Sequence, residues 1–392
     1  MKILHVIPSI SADMGGPSQV ALNLVKALRD LGEDAEILTT NFGMGDIPTG
    51  DRLEYVFDES LNLSIPVWFL PYDPPNLKEF IFSKAATAWM WKNLANYDIL
   101  DHHYLFSYLP TCAAAIARLQ KIPYTIRTMG QLTPWALNQG KAKKQLYATL
   151  FERKNLQKAA AIHCTANGEA EDVRTFGITT PTLTLPLGVN IPDEIPNARE
   201  RLRQQYNLPE DIPIVLFLSR LHYKKRPDLL LKSLADLQTE NQPFFGIFAG
   251  TGEPEYVEEL QQLSKELQLT EKVIFPGLIT GEDKECLLQG ADIFALPSYS
   301  ENFGIAVAEA LVVGLPVVIT KGIQISPDIG SAGGGIIIED TQESLTKALL
   351  TLLKNPEQRF AMGEKGKQFA RTTYSWSAIA KKLAIEYKKL CS

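Results

Sequence analysis

Little in this sequence suits an oxidised, nucleic-acid-bound or membrane-spanning protein. Its four cysteines, Cys112, Cys164, Cys286 and Cys391, form no Cys-x-x-Cys pair and no zinc pattern with the five histidines, so reduced, buried thiols are expected. Positive charge is in deficit: 39 Lys and Arg against 45 Asp and Glu leave a net charge of −6, which gives no global attraction to nucleic acid or to an anionic membrane. Long apolar runs are missing. The most apolar window, 305–319, holds Glu309 in its middle and Gly314-Leu315-Pro316 near its end, short of the roughly 18 apolar residues of a membrane span. At the N-terminus Pro8, Ser11 and Asp13 interrupt what would have to be the apolar core of a signal peptide, and a cytoplasmic protein is expected. No Asp-x-Asp triplet of the kind that often holds a catalytic divalent ion occurs, so no metal is expected.

What is present is a globular composition, 45% hydrophobic and 21% charged, over 392 residues, enough for two or three domains. Short β-rich runs alternate with segments of helical periodicity. Strands are expected at 3–7, 35–39, 67–70, 98–101, 124–127, 161–164 and 182–185, then at 214–218, 244–249, 273–275, 293–295, 317–320 and 335–338. Several are apolar throughout, as buried parallel strands are, and the alternation predicts two doubly wound, Rossmann-like α/β domains. The stretch 188–197, with Pro192 and Pro196, reads as a linker. The expected division is an N-terminal domain over 1–194, a C-terminal domain over 195–374 and a final helix over 375–392 that packs at the junction and crosses back to the first domain. In such sheets ligands lie beyond the carboxyl ends of the strands, so the natural site is a cleft between the domains.

Three strand-end segments carry the chemistry. Gly15 and Gly16, ahead of Pro17, form a loop whose backbone can approach a phosphate at a helix N-terminus, or an ordinary turn. Arg220, His222, Lys224, Lys225 and Arg226 crowd one loop after the strand 214–218. A diphosphate would match these cations without a metal, and a solvated basic loop is the alternative. After the strand 293–295 comes Ser298-Tyr299-Ser300-Glu301-Asn302-Phe303-Gly304, then an apolar helix carrying Glu309 between Ala308 and Ala310. A carboxylate buried there needs strong donors, and ribose hydroxyls are suitable. The amides from Asn302 to Gly304 lie where a phosphate is welcome, which leaves Glu301 for the group beyond the diphosphate. Separately, Lys141, Lys143, Lys144, Arg153, Lys154 and Lys158 face Glu152 alone, a stretch able to lean on anionic lipid or to form a solvated face.

Glu301 and Glu309, with Gly314-Leu315-Pro316 following, resemble the Glu-x7-Glu signature of glycosyltransferase family 4. Arg220 to Lys225 is similar to its Gly-Arg-Leu-(x)3-Lys-Gly motif, Gly250-Thr251-Gly252 to its Gly-x-Gly turn, and 97–103 to its Asp-(x)2-His-x-His element. The resemblance spans almost the whole chain, and Gly130 with Pro134-Trp135-Ala136-Leu137 is similar to a segment of polysaccharide-building members. It implies a GT-B fold and metal-independent transfer with retained configuration from a nucleotide sugar (UDP-, GDP- or ADP-linked) to a saccharide or lipid-linked acceptor. Under it Glu309 holds the ribose, Arg220 and Lys225 the diphosphate, and Gly15 and Gly16 the phosphate side of the first domain. Gly250, Gly252, Asn302, Phe303 and Gly304 belong to the nucleotide site, Glu301 holds the donor sugar, and His103 sits near it. The sequence departs from the pattern at Asp101, Met129, Leu187, Asn190 and Arg226. A GT-B epimerase and a non-catalytic two-domain binding protein are the alternative readings.

Overall fold

A computed structural model describes residues 1–11, 14, 16–58, 63–74, 80–138 and 145–392, with the side chain of residue 135 left out. The chain forms two units, one of Met1–Gly188 with Trp376–Ser392 and one of Val189–Ser375. The break thus falls after Gly188, a few residues before the expected position, because Val189 N donates to Tyr374 O at 2.7 Å and so joins the second unit.

In the first unit eight strands run in the order β3-β4-β2-β1-β5-β6-β7-β8. They are β1 Lys2–Val6, β2 Asp34–Thr40, β3 Arg52–Asp58, β4 Leu63–Leu70, β5 Ile99–His103, β6 Tyr124–Arg127, β7 Ala161–Cys164 and β8 Thr182–Thr184. Every pair is parallel except β3 with β4. The interior strands are almost wholly buried, as strands covered on both faces are, although β5 and β6 carry polar side chains inside the sheet. Sequence reading missed β3, which alternates polar and apolar residues on a half-exposed edge, whereas the search was for runs buried on both faces. The helix Gly16–Asp30 buries Ala21, Leu24, Val25 and Leu28 in the same core as Ile379, Ala380, Leu383 and Tyr387 of the final helix, Trp376–Cys391, which therefore returns to the first unit.

The second unit is a six-stranded, wholly parallel sheet in the order β11-β10-β9-β12-β13-β14. Its strands are β9 Ile214–Leu218, β10 Phe245–Ala249, β11 Val273–Gly277, β12 Ile293–Leu296, β13 Val317–Thr320 and β14 Gly335–Ile338. In each sheet the winding reverses once, between β1 and β5 in the first unit and between β9 and β12 in the second. Such a reversal leaves a crevice at the strands' carboxyl ends because the two following connections diverge to opposite faces.

Candidate active site at the carboxyl ends of β9 and β12

The loop after β9 carries the cations, and backbone hydrogen bonds hold its first residues. Ser219 N donates to Ala249 O at 3.1 Å and Leu221 N to Thr251 O at 2.7 Å. Gly250 and Gly252 make this approach possible. A Cβ on Gly250 would stand 1.9 Å from Ser219 O, and one on Gly252 2.2 Å from Leu221 O. Both glycines are thus accounted for by loop packing, with no ligand needed to explain them. Arg220 is exposed and has no ion-pair partner among the described residues. A short 3-10 turn, Tyr223–Lys225, follows, its first amide beyond Tyr223 capped by His222 Nδ1 at 3.1 Å. The cations repel one another: partial burial first, then Arg220, Lys225 and Lys224, push the His222 imidazole below its ordinary range. Burial, opposed by Glu301 and reinforced by Lys225 and Arg220, does the same to the Lys224 ammonium.

The loop after β12 lies against this one. Tyr299 N and Ser298 Oγ both donate to Lys224 O, at 2.9 and 3.0 Å, and Ser298 Oγ also reaches Glu301 Oε1 at 2.9 Å. Lys225 and Glu301 form an ion pair, both side chains mostly shielded. Glu301 is further fixed through its backbone, its N–H donating to Gly322 O at 3.0 Å and its C=O accepting from Gln324 N at 3.1 Å. Gly304 has φ +82°, a left-handed turn into the helix Ile305–Val313 that a side chain would strain. Asn302 is half-buried. Phe303 is core, edge-on to Tyr374 with ring centroids 5.4 Å apart, so only its backbone can address a ligand.

Glu309 differs from expectation. It is half-buried, not enclosed, and its hydrogen bond comes from Lys284 Nζ at 2.7 Å. Its immediate neighbours Ala308 and Ala310 are fully buried, but position 309 lies at the margin of the buried face, which flanking residues cannot reveal. Lys284 had no sequence signal, lying 25 residues upstream on another helix. Volume does not single out this region: a concavity of about 610 Å³ in the same unit is lined instead by residues such as Arg199, Gln289 and Arg371.

The first unit treats its charges otherwise. Gly15 lies outside the described residues, while Gly16 is the exposed first residue of its helix. His103 is expected at a strand end, but β5 runs two residues beyond the expected strand and places it inside the sheet, fully buried. Its Nε2 is 3.0 Å from His5 Nδ1 and its Nδ1 has no partner. No surface is left on His103 for a donor sugar in this conformation. Two residues earlier, on the same face, Asp101 collects Arg127 Nε (2.6 Å), Tyr387 OH (2.6 Å) and Thr125 Oγ1 (2.9 Å). Burial would raise the Asp101 carboxyl, but Arg127 chiefly, with the nearby histidines, holds it well below the usual carboxylate range. Burial likewise drives His5 down to about 4 and His102 and His163 to about 3. His5, Asp101 and His103 offer ligand atoms within 4.8 Å of one another, a cation-sized convergence, yet the Asp101 carboxylate is already engaged by a guanidinium and two hydroxyls.

A cation-rich loop and a Glu-bearing loop meeting at the reversal of one doubly wound sheet, in a chain that folds a second such unit, are the marks of the GT-B class of sugar-transferring enzymes. The chain belongs to the glycosyl transferases: residues 198–369 match Glycosyl transferases group 1, and residues 15–188 match the Glycosyl transferase 4-like domain. It is 24% identical over 387 residues to the D-inositol 3-phosphate glycosyltransferase of Xylanimonas cellulosilytica, covering 94% of this chain and 90% of that one. It is 31% identical over 221 residues to the GDP-mannose-dependent alpha-(1-6)-phosphatidylinositol monomannoside mannosyltransferase of Mycolicibacterium smegmatis, covering 53% and 56%. Among solved structures, Anabaena HepE in complex with UDP superposes with a TM-score of 0.76 at 19% identity over 99% of this chain and all of that one. The lipopolysaccharide glycosyltransferase WaaG does so with 0.67 at 18% identity, over 98% and 99%. These relatives give no support to the epimerase or binding-protein readings.

Proposed function

We propose that this glycosyltransferase transfers a hexose, with retention of configuration and without a metal, from a nucleoside-diphosphate sugar to a saccharide or lipid-linked acceptor in polysaccharide or glycoconjugate assembly. The observation that carries the reading is the Lys225–Glu301 pair between the two loops, with Arg220 exposed on the same loop and in no ion pair among the described residues. A site whose lysine and glutamate pair with each other can exchange that pair for a diphosphate on Lys225 and a sugar hydroxyl on Glu301. Arg220 and Lys225 then offset the charge that develops on the departing diphosphate, the work a divalent ion does elsewhere. Glu309 takes the ribose, and the backbone from Asn302 to Gly304 lies at the helix start. The relatives' names include a GDP-mannose-dependent enzyme, and HepE is in complex with UDP, which supports the donor class but leaves its base open among UDP, GDP and ADP. His103 can join this chemistry only if the first unit opens at the end of β5.

Thermal shift with UDP, GDP and ADP identifies the base, since a ligand that binds only the folded state raises the melting temperature. Turnover with the matching sugar should survive excess EDTA and give product of the donor's anomeric configuration by NMR. Loss of activity restored by magnesium, or an inverted product, rejects the mechanism.

The acceptor side carries a second part of the proposal, peripheral contact with the cytoplasmic membrane face through the basic stretch from Lys141 to Lys158. Lys141, Lys143 and Lys144 lie outside the described residues. Beyond them Leu146, Leu150 and Phe151 are 64%, 60% and 49% exposed, beside exposed Lys154 and Lys158. Glu152, the stretch's one acid, turns inward to accept from Phe106 N at 2.9 Å and Thr111 Oγ1 at 2.7 Å. Apolar side chains on a basic face suit an anionic surface. No described helix is long and apolar enough to cross a membrane. Co-sedimentation with phosphatidylglycerol vesicles, absent with phosphatidylcholine and lost in Leu150→Glu, is the expected result, and equal binding to both vesicles overturns it.

A further inference from the structure

Glu309 is asked to do fine work from a poor position. It sits in the second turn of a helix whose Val307, Ala308, Ala310, Leu311 and Val312 are all buried, so nothing on its own helix holds its carboxylate. The group that does is Lys284, from the fourth position of the helix Gly281–Gly290, with Nζ 2.7 Å from Glu309 Oε1. The pair is partly shielded, the side chains 31% and 24% exposed. Among the described residues the second oxygen, Oε2, accepts no hydrogen bond, so the contact fixes one oxygen and leaves the other to a ligand. Lys284 also stands in an acidic corner. Burial and the charges of Asp193, Glu282 and Glu309 raise the neighbouring Glu285 carboxyl, and Lys284 opposes them. Removing the ammonium would free the Glu309 rotamer and leave it facing like charge.

We propose that Lys284 is a positioning residue for donor recognition: by holding Oε1 it sets the Glu309 carboxylate to accept from the ribose hydroxyls, and so makes the site select ribonucleoside over 2′-deoxyribonucleoside diphosphates. The inference rests on the reading of Glu309 as the ribose acceptor. A carboxylate held at one oxygen can meet a pair of vicinal hydroxyls in one geometry, whereas a mobile one loses orientation each time it binds, and a site built for a hydroxyl penalises the analogue lacking it. The effect should be confined to the ribose, because Lys284 pairs with Glu309 and, among the described residues, makes no hydrogen bond or ion pair with the loops that carry Arg220 and Lys225.

The test is calorimetric titration of the full chain with whichever of UDP, GDP or ADP binds tightest and with its 2′-deoxy counterpart. Lys284→Gln should weaken the ribonucleotide by about five- to tenfold and leave the deoxynucleotide within about twofold, so the ribo/deoxy ratio falls. Lys284→Arg should restore most of that ratio. Adding Lys284→Gln to Glu309→Gln should cost little more than Glu309→Gln alone, the non-additivity of residues that act as a unit. With the sugar donor, KM should rise by a larger factor than kcat falls. A deoxynucleotide affinity that stays put also shows that the variant is folded. If Glu309→Gln collapses the ratio while Lys284→Gln leaves it intact, the inference is overturned and the Glu309 reading stands. If Glu309→Gln itself leaves the ratio intact, that reading falls and the inference with it.

Discussion

Each unit reverses its winding once, and the two reversals carry charge in opposite ways. At β1 and β5 the polar groups are inside the sheet: His5 pairs in register with Asp101, and Asp101, His102 and His103 are all enclosed. At β9 and β12 every strand residue is apolar and buried, and the charges begin only beyond the strand ends, in loops open to water. One topology therefore serves two purposes. Charges inside a sheet must find permanent protein partners, because an uncompensated buried ion costs several kcal/mol. Charges on loops past the sheet can pair with one another, as Lys225 and Glu301 do, and under the proposed function be handed to a ligand. Under the proposed function the first arrangement contributes to the fold and the second to chemistry.

Breaking the Asp101 network should have the largest effect. Arg127→Met leaves the Asp101 carboxylate buried without its chief counter-charge, and a loss of about 3–5 kcal/mol in urea unfolding is expected. A change under about 1 kcal/mol would mean that Tyr387 and Thr125 suffice. Acid should then separate the two units. Burial holds the histidines of the first unit below 6.5, so the unfolded chain binds protons that the native one refuses, and their contribution is present above 6.5 and lost as pH falls toward about 4 for His5 and about 3 for His102 and His163. At pH 5.5 each such histidine costs roughly 1 kcal/mol relative to neutral pH. Hydrogen exchange at pH 7.5 and 5.5 should show protection lost first in peptides of β1, β5 and β7. Earlier loss in β9 and β12 would contradict the division. His102→Phe, which keeps the stack on Tyr124 (ring centroids 5.3 Å apart), should lessen this sensitivity by one proton.

The loop charges should behave in the converse way. Arg220→Ala removes an exposed cation, so stability should stay within about 0.5 kcal/mol. Nucleoside diphosphate affinity should fall roughly ten- to a hundredfold, the worth of a charge-assisted hydrogen bond of about 1.5–3 kcal/mol. Unchanged affinity would return the loop to a solvated role.

What the sequence let one read follows the same line. β9 and β12 are apolar runs bounded by turn residues, and the loop from Ser298 to Gly304 announces itself by placing Glu, Asn and Gly after such a run. β3, half-exposed at an edge, gives only alternation. The contacts that complete each cluster were beyond reach, because Tyr387 meets Asp101 across 286 positions and Lys284 meets Glu309 across 25, and neither residue carries a local mark. The end of β5 was misplaced for a related reason. His102 and His103 read as lying past the strand end at Asp101, whereas packing against Tyr124 and His5 keeps them in the strand.

The smallest effect concerns the residue at which the cation loop departs from its family's pattern. Where glycine usually follows the motif lysine, this chain has Arg226, at φ 57° and ψ 45°. A left-handed conformation costs a side-chain-bearing residue about 1 kcal/mol or more, which is why glycine suits the position. Here the side chain offsets that cost: Nη1 donates to Asp340 at 2.7 Å, Nε reaches Asp228 at 3.4 Å, and the guanidinium lies 4.4 Å from the Tyr299 ring centroid. Two substitutions separate backbone from side chain. Arg226→Gly loses the contacts, worth about 0.5–1 kcal/mol each, but relieves the strain, so its net change should lie within about 1 kcal/mol of the parent. Arg226→Ala loses the same contacts and keeps the strain, so it should be less stable than Arg226→Gly by about 1 kcal/mol in the same urea titration, even after the greater freedom of glycine in the unfolded chain is counted. Diphosphate affinity should fall less than threefold in both, because Arg226 is committed to Asp228, Asp340 and Tyr299, while Arg220 and Lys225 remain. Equal stabilities of the alanine and glycine variants would show that the turn at 226 is not held left-handed in solution; a large loss of diphosphate affinity would show that Arg226 also belongs to the set of exchangeable charges that distinguishes this unit from the other.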